Sequence, residues 1–335
     1  MSKKLNIAVI GAGYLGNFHS EKYSQHPSAQ LVSVVDIQEE RAKEIAAKYN
    51  TSYTTDYRTL LESKKVDAVS IVTPTDTHYE IARAFLAAGI DVLIEKPITH
   101  KIWQAEELVR LAQARGRILQ VGHLERFNSA IQKLSTILTK PLFIECHRLH
   151  SFVQRGTEVD VILDLMIHDL DIILSMVRSD LSKINAVGVA VLSSLIDIAN
   201  VRLEFQSGCV ANITASRVSL KSMRKIRLFQ PDCYVSVDFQ KATIEIYKKT
   251  FQEGDSVPEL SAETLSLERK DALREEINAF IDSVQSRTKP LVSGLEALDA
   301  LKLAHQIVEH IQQKTPKSTS HSSVGVVGSP AVFHG

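Results

Sequence analysis

The sequence has few cysteines, no excess of either charge and no long apolar run, and each absence excludes a class of protein. The three cysteines, Cys146, Cys209 and Cys233, lack the spacing of a zinc or disulfide framework. The 39 basic residues balance 39 acidic ones, so no global field attracts nucleic acid or membrane. No apolar stretch reaches the ~20 residues that span a bilayer, and MSKKLNIAVIGAG does not resemble a signal peptide. We therefore expect a cytoplasmic protein without nucleic-acid partner, membrane insertion or metal site.

The order of hydrophobic patterns along the 335 residues indicates two domains. Up to Gly122, β-branched strands alternate with amphipathic helices, which is typical of a parallel α/β sheet covered on both faces. Consecutive strands between 184 and 247, followed by two helices, predict an open, mostly antiparallel sheet flanked by helices. The expected boundaries are 1–122 for the α/β domain, 123–314 for the α+β domain, and 315–335 for an irregular tail.

A glycine-rich turn follows the first predicted strand. GAGYLG, from Gly11 to Gly16, fits G-x-G-x-x-G, and Asp36 ends the next strand. Gly11 allows the tight turn, Gly13 allows close approach of a pyrophosphate, and Gly16 allows the helix to pack on the strand. The helix N-terminus offers N–H groups to phosphate, and Asp36 would bind ribose hydroxyls while repelling a 2′-phosphate. The pattern predicts a Rossmann domain that binds NAD.

A second informative stretch is VLIEKPITH, which places Lys96 directly after a buried strand. Ligands of doubly wound sheets lie at the carboxyl ends of the strands, and Pro97 fixes the local turn. A surface lysine at a strand end would be the preferred interpretation if this tripeptide stood alone.

The third informative stretch is VDVILDLMIHDLDIIL, from Val159 to Leu174, which is apolar enough for a core yet carries four aspartates and a histidine. On a helix at 100° per residue, Asp160, Asp164, His168 and Asp171 fall within about 80° of one another. This polar face predicts a catalytic cleft. Three alternatives are a structural histidine, part of a metal site, and internal salt bridges to Arg126 or Arg148.

Together, AVIGAGYLG, VSIVTPTDTHYE, IEKPIT, VGHLERFN and DLMIHDLD resemble the Gfo/Idh/MocA family of oxidoreductases over residues 4 to about 313. The resemblance implies a nicotinamide cofactor and a C-terminal sheet domain for substrate binding and homo-oligomerisation, as a dimer or tetramer. It implies that Lys96, Asp164 and His168 serve catalysis. The implied cofactor-binding residues are Gly11, Gly13, Tyr14, Leu15, Gly16, Asp36, Thr73, Pro74, His78, Glu95, Lys96 and Pro97.

Each catalytic candidate has a chemical role in oxidising a secondary hydroxyl. His168, with an ordinary pKa near 6.5, would accept the hydroxyl proton. Asp164, one turn earlier, would orient its imidazole. Lys96 would stabilise charge that develops on the reacting oxygen.

The region around VGHLERFN resembles one branch of the family, which oxidises the 3-hydroxyl of UDP-N-acetylglucosamine to a 3-keto sugar in the synthesis of certain lipid A molecules. Cationic side chains at Arg126, His147, Arg148, His150 and Arg155 favour a diphosphate ligand. The expected substrate-binding residues are Arg126, Asn128, Arg148 and Asp171. Alternatives are an inositol or free-sugar dehydrogenase and a non-catalytic NAD-binding sensor, although a sensor needs no acid–base set.

Overall fold

The computed structural model describes residues 4–152, 159–250 and 259–314. The first half forms a six-stranded parallel sheet in the order β3-β2-β1-β4-β5-β6. Its strands are β1 (Leu5–Ile10), β2 (Ala29–Val35), β3 (Ser52–Thr54), β4 (Ala68–Ile71), β5 (Asp91–Glu95) and β6 (Leu119–Gly122). The chain reverses its direction of growth between β1 and β4, which creates the crevice where such sheets bind ligands.

Helices cover both faces of this sheet, because its central strands are apolar on both sides. They are α1 (Tyr14–Gln25), α2 (Glu39–Lys48), α3 (Arg58–Ser63), α4 (Thr75–Ala87) and α5 (Ile102–Arg115). A 3-10 turn at Leu124–Phe127 and α6 (Ser129–Ile137) then lead into the second half.

The second half is built on an eight-stranded sheet in the order β14-β13-β12-β11-β7-β10-β9-β8. Its strands are β7 (Phe143–Leu149), β8 (Leu181–Val189), β9 (Ile198–Phe205), β10 (Val210–Ser216), β11 (Met223–Phe229), β12 (Cys233–Asp238), β13 (Thr243–Thr250) and β14 (Glu259–Ser266). Only β7 and β10 are parallel among the pairs described. The predicted fold class is therefore confirmed.

The inward face of this sheet packs on a helical segment made of a π-helical turn, Ile162–Met166, and α7 (Ile167–Val177). Along β7, residues alternate between the buried and the half-exposed face, as expected for a sheet covered on one side. The other face carries an aromatic row across β7, β11, β12 and β13, formed by Phe143, Phe229, Tyr234 and Tyr247.

The chain returns to the first sheet after β14. Ile277, Phe280 and Ile281 of α8 (Ala272–Ser286) pack with residues of β1 and α1, and α9 (Gly294–Lys314) contributes to the cores of both halves. The domain boundary at Gly122 remains a prediction. Helix α8 lies after this boundary in the sequence but packs on the first sheet. The predicted tail 315–335 and Arg155 lie outside the described residues. Within the described part of the chain, no helix has the length and apolarity to span a membrane.

Candidate active site

The glycine turn between β1 and α1 has room for a dinucleotide. Gly11 has a φ of +104°, and a Cβ there would lie 2.5 Å from the carbonyl oxygen of Val72. A Cβ on Gly16 would overlap the carbonyl oxygen of Gly11, whereas the Cβ position of Gly13 has no protein atom within 4 Å. The first turn of α1 has neither a capping side chain nor an acidic residue. Its N–H groups and the open side of Gly13 fit a pyrophosphate.

Asp36 is held beside this turn. Its Oδ2 accepts a hydrogen bond from the Ala12 amide at 2.8 Å, and its Oδ1 accepts one from the Gln38 amide at 2.9 Å. The carboxylate is thus fixed next to the N-terminus of α1, which is the position expected of a group that binds a ribose hydroxyl. Close by, Tyr14 exposes 69% of its surface and packs edge-on against Phe18.

His78 joins the two loops that follow β4 and β5. Its Nδ1 lies 3.0 Å from the carbonyl oxygen of Pro97, and its Nε2 lies 2.9 Å from that of Thr73. Burial lowers the pKa of His78, although these hydrogen bonds oppose the shift. The ring is 1% exposed and offers almost no surface to a ligand. These contacts make His78 a brace between the two loops, and its predicted role in cofactor binding stays a prediction.

A cavity of about 580 Å³ lies between the carboxyl edge of the first sheet and the π-helical turn. Lys96, Asp164 and His168 all line it. So do the following predicted cofactor-binding residues: Leu15, Thr73, Pro74, Glu95 and Pro97. The Nζ of Lys96 donates to the Asp164 carbonyl oxygen at 2.8 Å and to its Oδ1 at 3.4 Å. The two halves of the chain therefore meet at the three catalytic candidates.

The π-helical turn changes the expected relation between Asp164 and His168. A π-helix bonds residue i to i+5, so the spacing of 100° per residue does not hold across Ile162–Met166. Asp164 contacts Lys96, while Nδ1 of His168 is buried and has no hydrogen-bond partner among the described residues. No described hydrogen bond joins Asp164 to the imidazole, and its predicted role in orienting the ring stays a prediction. Its contacts assign it to holding Lys96.

The environment of His168 favours its neutral form. Burial lowers the pKa of His168 well below the ordinary 6.5, and the charges of Lys96 and Arg148 lower it further. With Nδ1 buried, Nε2 is the ring nitrogen left to face the cavity. A neutral imidazole at neutral pH can accept a proton there, although it is a weaker base than an exposed histidine.

Arg148 is already occupied within the protein. Its Nε and Nη2 donate to the two oxygens of Asp169 at 2.9 and 2.8 Å, and its Nη1 lies 3.4 Å from Glu125. Arg148 and Asp169 are both buried. Arg148 thus forms a buried salt bridge between β7 and α7, and its predicted binding of a substrate anion stays a prediction.

The other predicted substrate ligands also have structural partners. Arg126 lies 3.3 Å from Asp171, and both line a second cavity, of about 470 Å³, whose lining does not include Lys96 or His168. The Asn128 side chain caps α6 by accepting from the Ala130 amide at 2.9 Å. Internal ion pairing, one of the alternatives for the aspartate-rich helix, thus describes Asp169 and Asp171.

Several site residues were not anticipated from the sequence. Asp76 and His100 line the catalytic cavity, where Nε2 of His100 lies 3.1 Å from the Asp76 carboxylate. His150, which was expected as one of the cationic side chains, lines the cavity as well. His19 of α1 hydrogen-bonds to Glu95 at 3.2 Å from inside the fold. The position of His100 after a strand was the available signal for this residue, whereas the position of His19 within a helix gave none.

Comparison with known proteins agrees with this architecture. The model of the oxidoreductase family with an NAD-binding Rossmann fold matches residues 5–123, and that of the Gfo/Idh/MocA C-terminal domain matches residues 138–245. A UDP-N-acetylglucosamine 3-dehydrogenase from Acidithiobacillus ferrooxidans is 38% identical over 304 residues, which cover 90% of this chain and 96% of the relative.

Two further comparisons bear on structure and substrate. A solved structure of UDP-N-acetylglucosamine 3-dehydrogenase from Acidithiobacillus ferrooxidans superposes with a TM-score of 0.86 at 36% identity, covering 93% of this chain and 99% of the other. A myo-inositol 2-dehydrogenase from Thermotoga maritima is 27% identical over 328 residues, covering 92% of this chain and 97% of the relative.

Proposed function

Because the chain belongs to the Gfo/Idh/MocA oxidoreductase family, with its NAD-binding Rossmann domain, we propose that it oxidises the 3-hydroxyl of UDP-N-acetylglucosamine to a 3-keto sugar. The observation that carries this proposal is the shared cavity, which brings Lys96, Asp164 and His168 to the edge of the NAD-binding sheet. NAD, when bound, supplies the acceptor for the hydride of the substrate carbon.

The protein's own groups handle the proton and the charge. The Nε2 of His168 accepts the hydroxyl proton, which its lowered pKa permits because the ring is neutral at neutral pH. Two contacts to Asp164 fix the ammonium of Lys96, and a lysine has three donors. The remaining donor is available to the reacting oxygen, where it stabilises negative charge during proton transfer.

The 38% identical relative supports the nucleotide sugar as substrate. The internal pairing of Arg126 and Arg148 leaves fewer of their donors for the expected contacts with a diphosphate. His100 and His150 line the cavity and are candidates for that role. The same pairing favours a second candidate function, oxidation of an uncharged polyol such as inositol, which needs no anion-binding group and agrees with the inositol dehydrogenase relative.

An assay of NAD reduction separates the two functions. UDP-N-acetylglucosamine, free N-acetylglucosamine and myo-inositol are offered in parallel, with glutamate and an aminotransferase present to remove a 3-keto product. We expect reduction with the nucleotide sugar and little with its free sugar, because the diphosphate contributes binding energy. Reduction with myo-inositol alone would exclude the nucleotide-sugar function.

We also infer that the aromatic row makes the C-terminal sheet an interface between subunits. Adjacent ring centroids in the row are 5.5, 4.9 and 5.6 Å apart, and Phe229 and Tyr247 are 37% and 46% exposed. Aromatic side chains are enriched at subunit contacts. Light scattering at micromolar concentration should show a dimer or tetramer. The substitution Phe229→Asp should shift the oligomeric state toward monomer. A wild-type monomer would contradict the inference.

A further inference from the structure

A buried cluster of His19, Glu95 and Glu276 lies behind the sheet edge that carries Lys96. The three side chains come from α1, β5 and α8, and one nitrogen or oxygen atom of each lies within 4.8 Å of the others. His19 and Glu276 are fully buried, whereas Glu95 also lines the catalytic cavity. The cluster therefore connects the interior of the protein to the active site.

Glu95 has the partners of a carboxylate. Its Oε1 lies 3.2 Å from Nε2 of His19, and its Oε2 accepts from the backbone amide of Lys96 at 3.3 Å. Burial opposes ionisation, but the hydrogen bond with His19 and the charge of Lys96 bring the pKa of Glu95 below its ordinary value. His19 is fixed on its other side by Ser70, 2.8 Å from Nδ1.

Glu276 has no such partners. Neither of its carboxyl oxygens has a hydrogen-bond partner among the described residues, and the side chain is 0% exposed. Burial and then the negative charge of Glu95 raise the pKa of Glu276 well above its ordinary value. Two adjacent buried carboxyl groups do not both ionise unless a cation joins them.

We propose that Glu276 is a positioning residue of the active site, which remains an uncharged carboxylic acid behind Glu95 and thereby keeps a single negative charge at the base of Lys96. A second charge at Glu276 would repel the Glu95 carboxylate toward the cavity. Because Glu95 accepts from the amide of Lys96, such a displacement would alter the segment from which the Lys96 side chain reaches Asp164.

Space around Glu95 allows little movement without an effect on this segment. A Cβ at Gly122 of β6 would lie 2.8 Å from Oε2 of Glu95, so the absence of a side chain on this neighbouring strand leaves the space that the carboxylate occupies. From the same strand, β6, the Gln120 side chain donates to the backbone carbonyl oxygen of Glu276 at 3.0 Å and so links α8 to β6. The positions of Glu95 and Glu276 are thus set by the same strand.

The titratable groups around Glu276 come from both packed layers. His19 and Tyr23 face it from α1, and Glu95 faces it from β5, with Lys96 beyond. Burial raises the pKa of Tyr23, so this phenol stays uncharged. Glu95 therefore carries the negative charge nearest to Glu276, and no described cation forms an ion pair with Glu276.

The test compares the same chemical change at both glutamates of the full-length protein. Infrared difference spectra between wild type and Glu276→Gln at pH 8 should show the C=O band of a protonated carboxyl group that only wild type has. Glu276→Ala should lower kcat by roughly ten- to a hundred-fold through misplacement, and Glu276→Gln should recover most of it. By contrast, Glu95→Gln should have a lowered kcat, because this substitution removes the negative charge beside Lys96.

Several outcomes would overturn the proposal. They are the absence of a protonated-carboxyl band, a kcat of Glu276→Gln as low as that of Glu276→Ala, or a stoichiometric divalent metal that Glu276→Gln releases. If Glu276→Gln does not fold, absence of the band in wild type still decides against it. The kinetic part of the test rests on the proposed dehydrogenase activity. The infrared band and the metal content need no substrate, so they distinguish a failure of the Glu276 proposal from a failure of the proposed function.

Discussion

The helical segment from Ile162 to Val177 has two polar sides that differ in what surrounds them. On the cavity side, Asp164 and His168 face the sheet edge, and a ring nitrogen of His168 has no hydrogen-bond partner among the described residues. On the other side, Asp169 and Asp171 are paired with arginines. The comparison teaches that residue type does not separate a site from a core salt bridge. What separates them is their surroundings, because Asp164 and His168 line the catalytic cavity whereas Asp169 and Asp171 do not.

Removing His168 should have the largest effect on the cavity side. His168→Ala is expected to lower kcat by about 10²–10⁴-fold, because the proton acceptor is lost. NAD affinity and thermal stability should remain close to wild type, since Nδ1 makes no described hydrogen bond. Steady-state kinetics, fluorescence titration of NAD and a melting curve measure these three quantities. Normal turnover combined with a lowered Tm would make His168 a core residue.

Lys96→Met should lower kcat by about 10²–10³-fold through loss of charge stabilisation. The substitution should also shift the acidic limb of the pH–rate profile of the remaining activity. His168 acts in its neutral form, so activity is lost as pH falls through its folded-state pKa, which lies below 6.5 because of burial and then the charge of Lys96. Without that charge the limb should shift to higher pH. An unmoved limb in the pH–rate profile would mean that the limb belongs to another group.

Arg148→Ala should act on stability. Asp169 would remain buried without its partner, which costs about 3–5 kcal/mol of unfolding free energy, measured by urea denaturation. Turnover per folded molecule should stay within a few-fold of wild type, because Arg148 does not line the catalytic cavity. A large rise in KM for the nucleotide sugar at unchanged stability would restore Arg148 as a substrate ligand.

Asp36→Ala should give the smallest effect, which is confined to the cofactor. Wild type should bind NAD more tightly than NADP, and the variant should narrow this preference, because the charge beside the Ala12 amide is removed. Turnover with saturating NAD should change little. Equal affinities of wild type for the two cofactors would contradict the assignment of Asp36.

Local patterns predicted the features that depend on neighbouring residues. The glycine turn, Asp36 and the strand–helix alternation are each specified within about 30 residues, and the fold class is accordingly confirmed. Strand β14 was missed because Glu259–Ser266 is a polar edge strand without apolar alternation. Helix α6 was missed although Asn128 supplies its N-cap.

Features that depend on distant partners were not predictable in the same way. The arginine partners of Asp169 and Asp171 lie 21 and 45 residues away, so the sequence suggested internal pairing only as one of several alternatives. The contact of Asp164 with Lys96 was not predicted, because an ideal helical spacing was assumed where the chain forms a π-helical turn. Glu276 lies 181 residues beyond Glu95, and no local pattern connects them.

The π-helical turn has a consequence for insertions and deletions. A π turn within an α-helix is equivalent to one extra residue accommodated without unfolding the rest. Deleting one residue between Ile162 and Met166 would let the segment wind as a regular α-helix while the residues on either side keep their places, so the change falls on the turn that contains Asp164. Asp164 would leave Lys96 while the histidine stayed in place. Chain length in these five positions is therefore as specific a determinant of the lysine contact as the identity of any side chain.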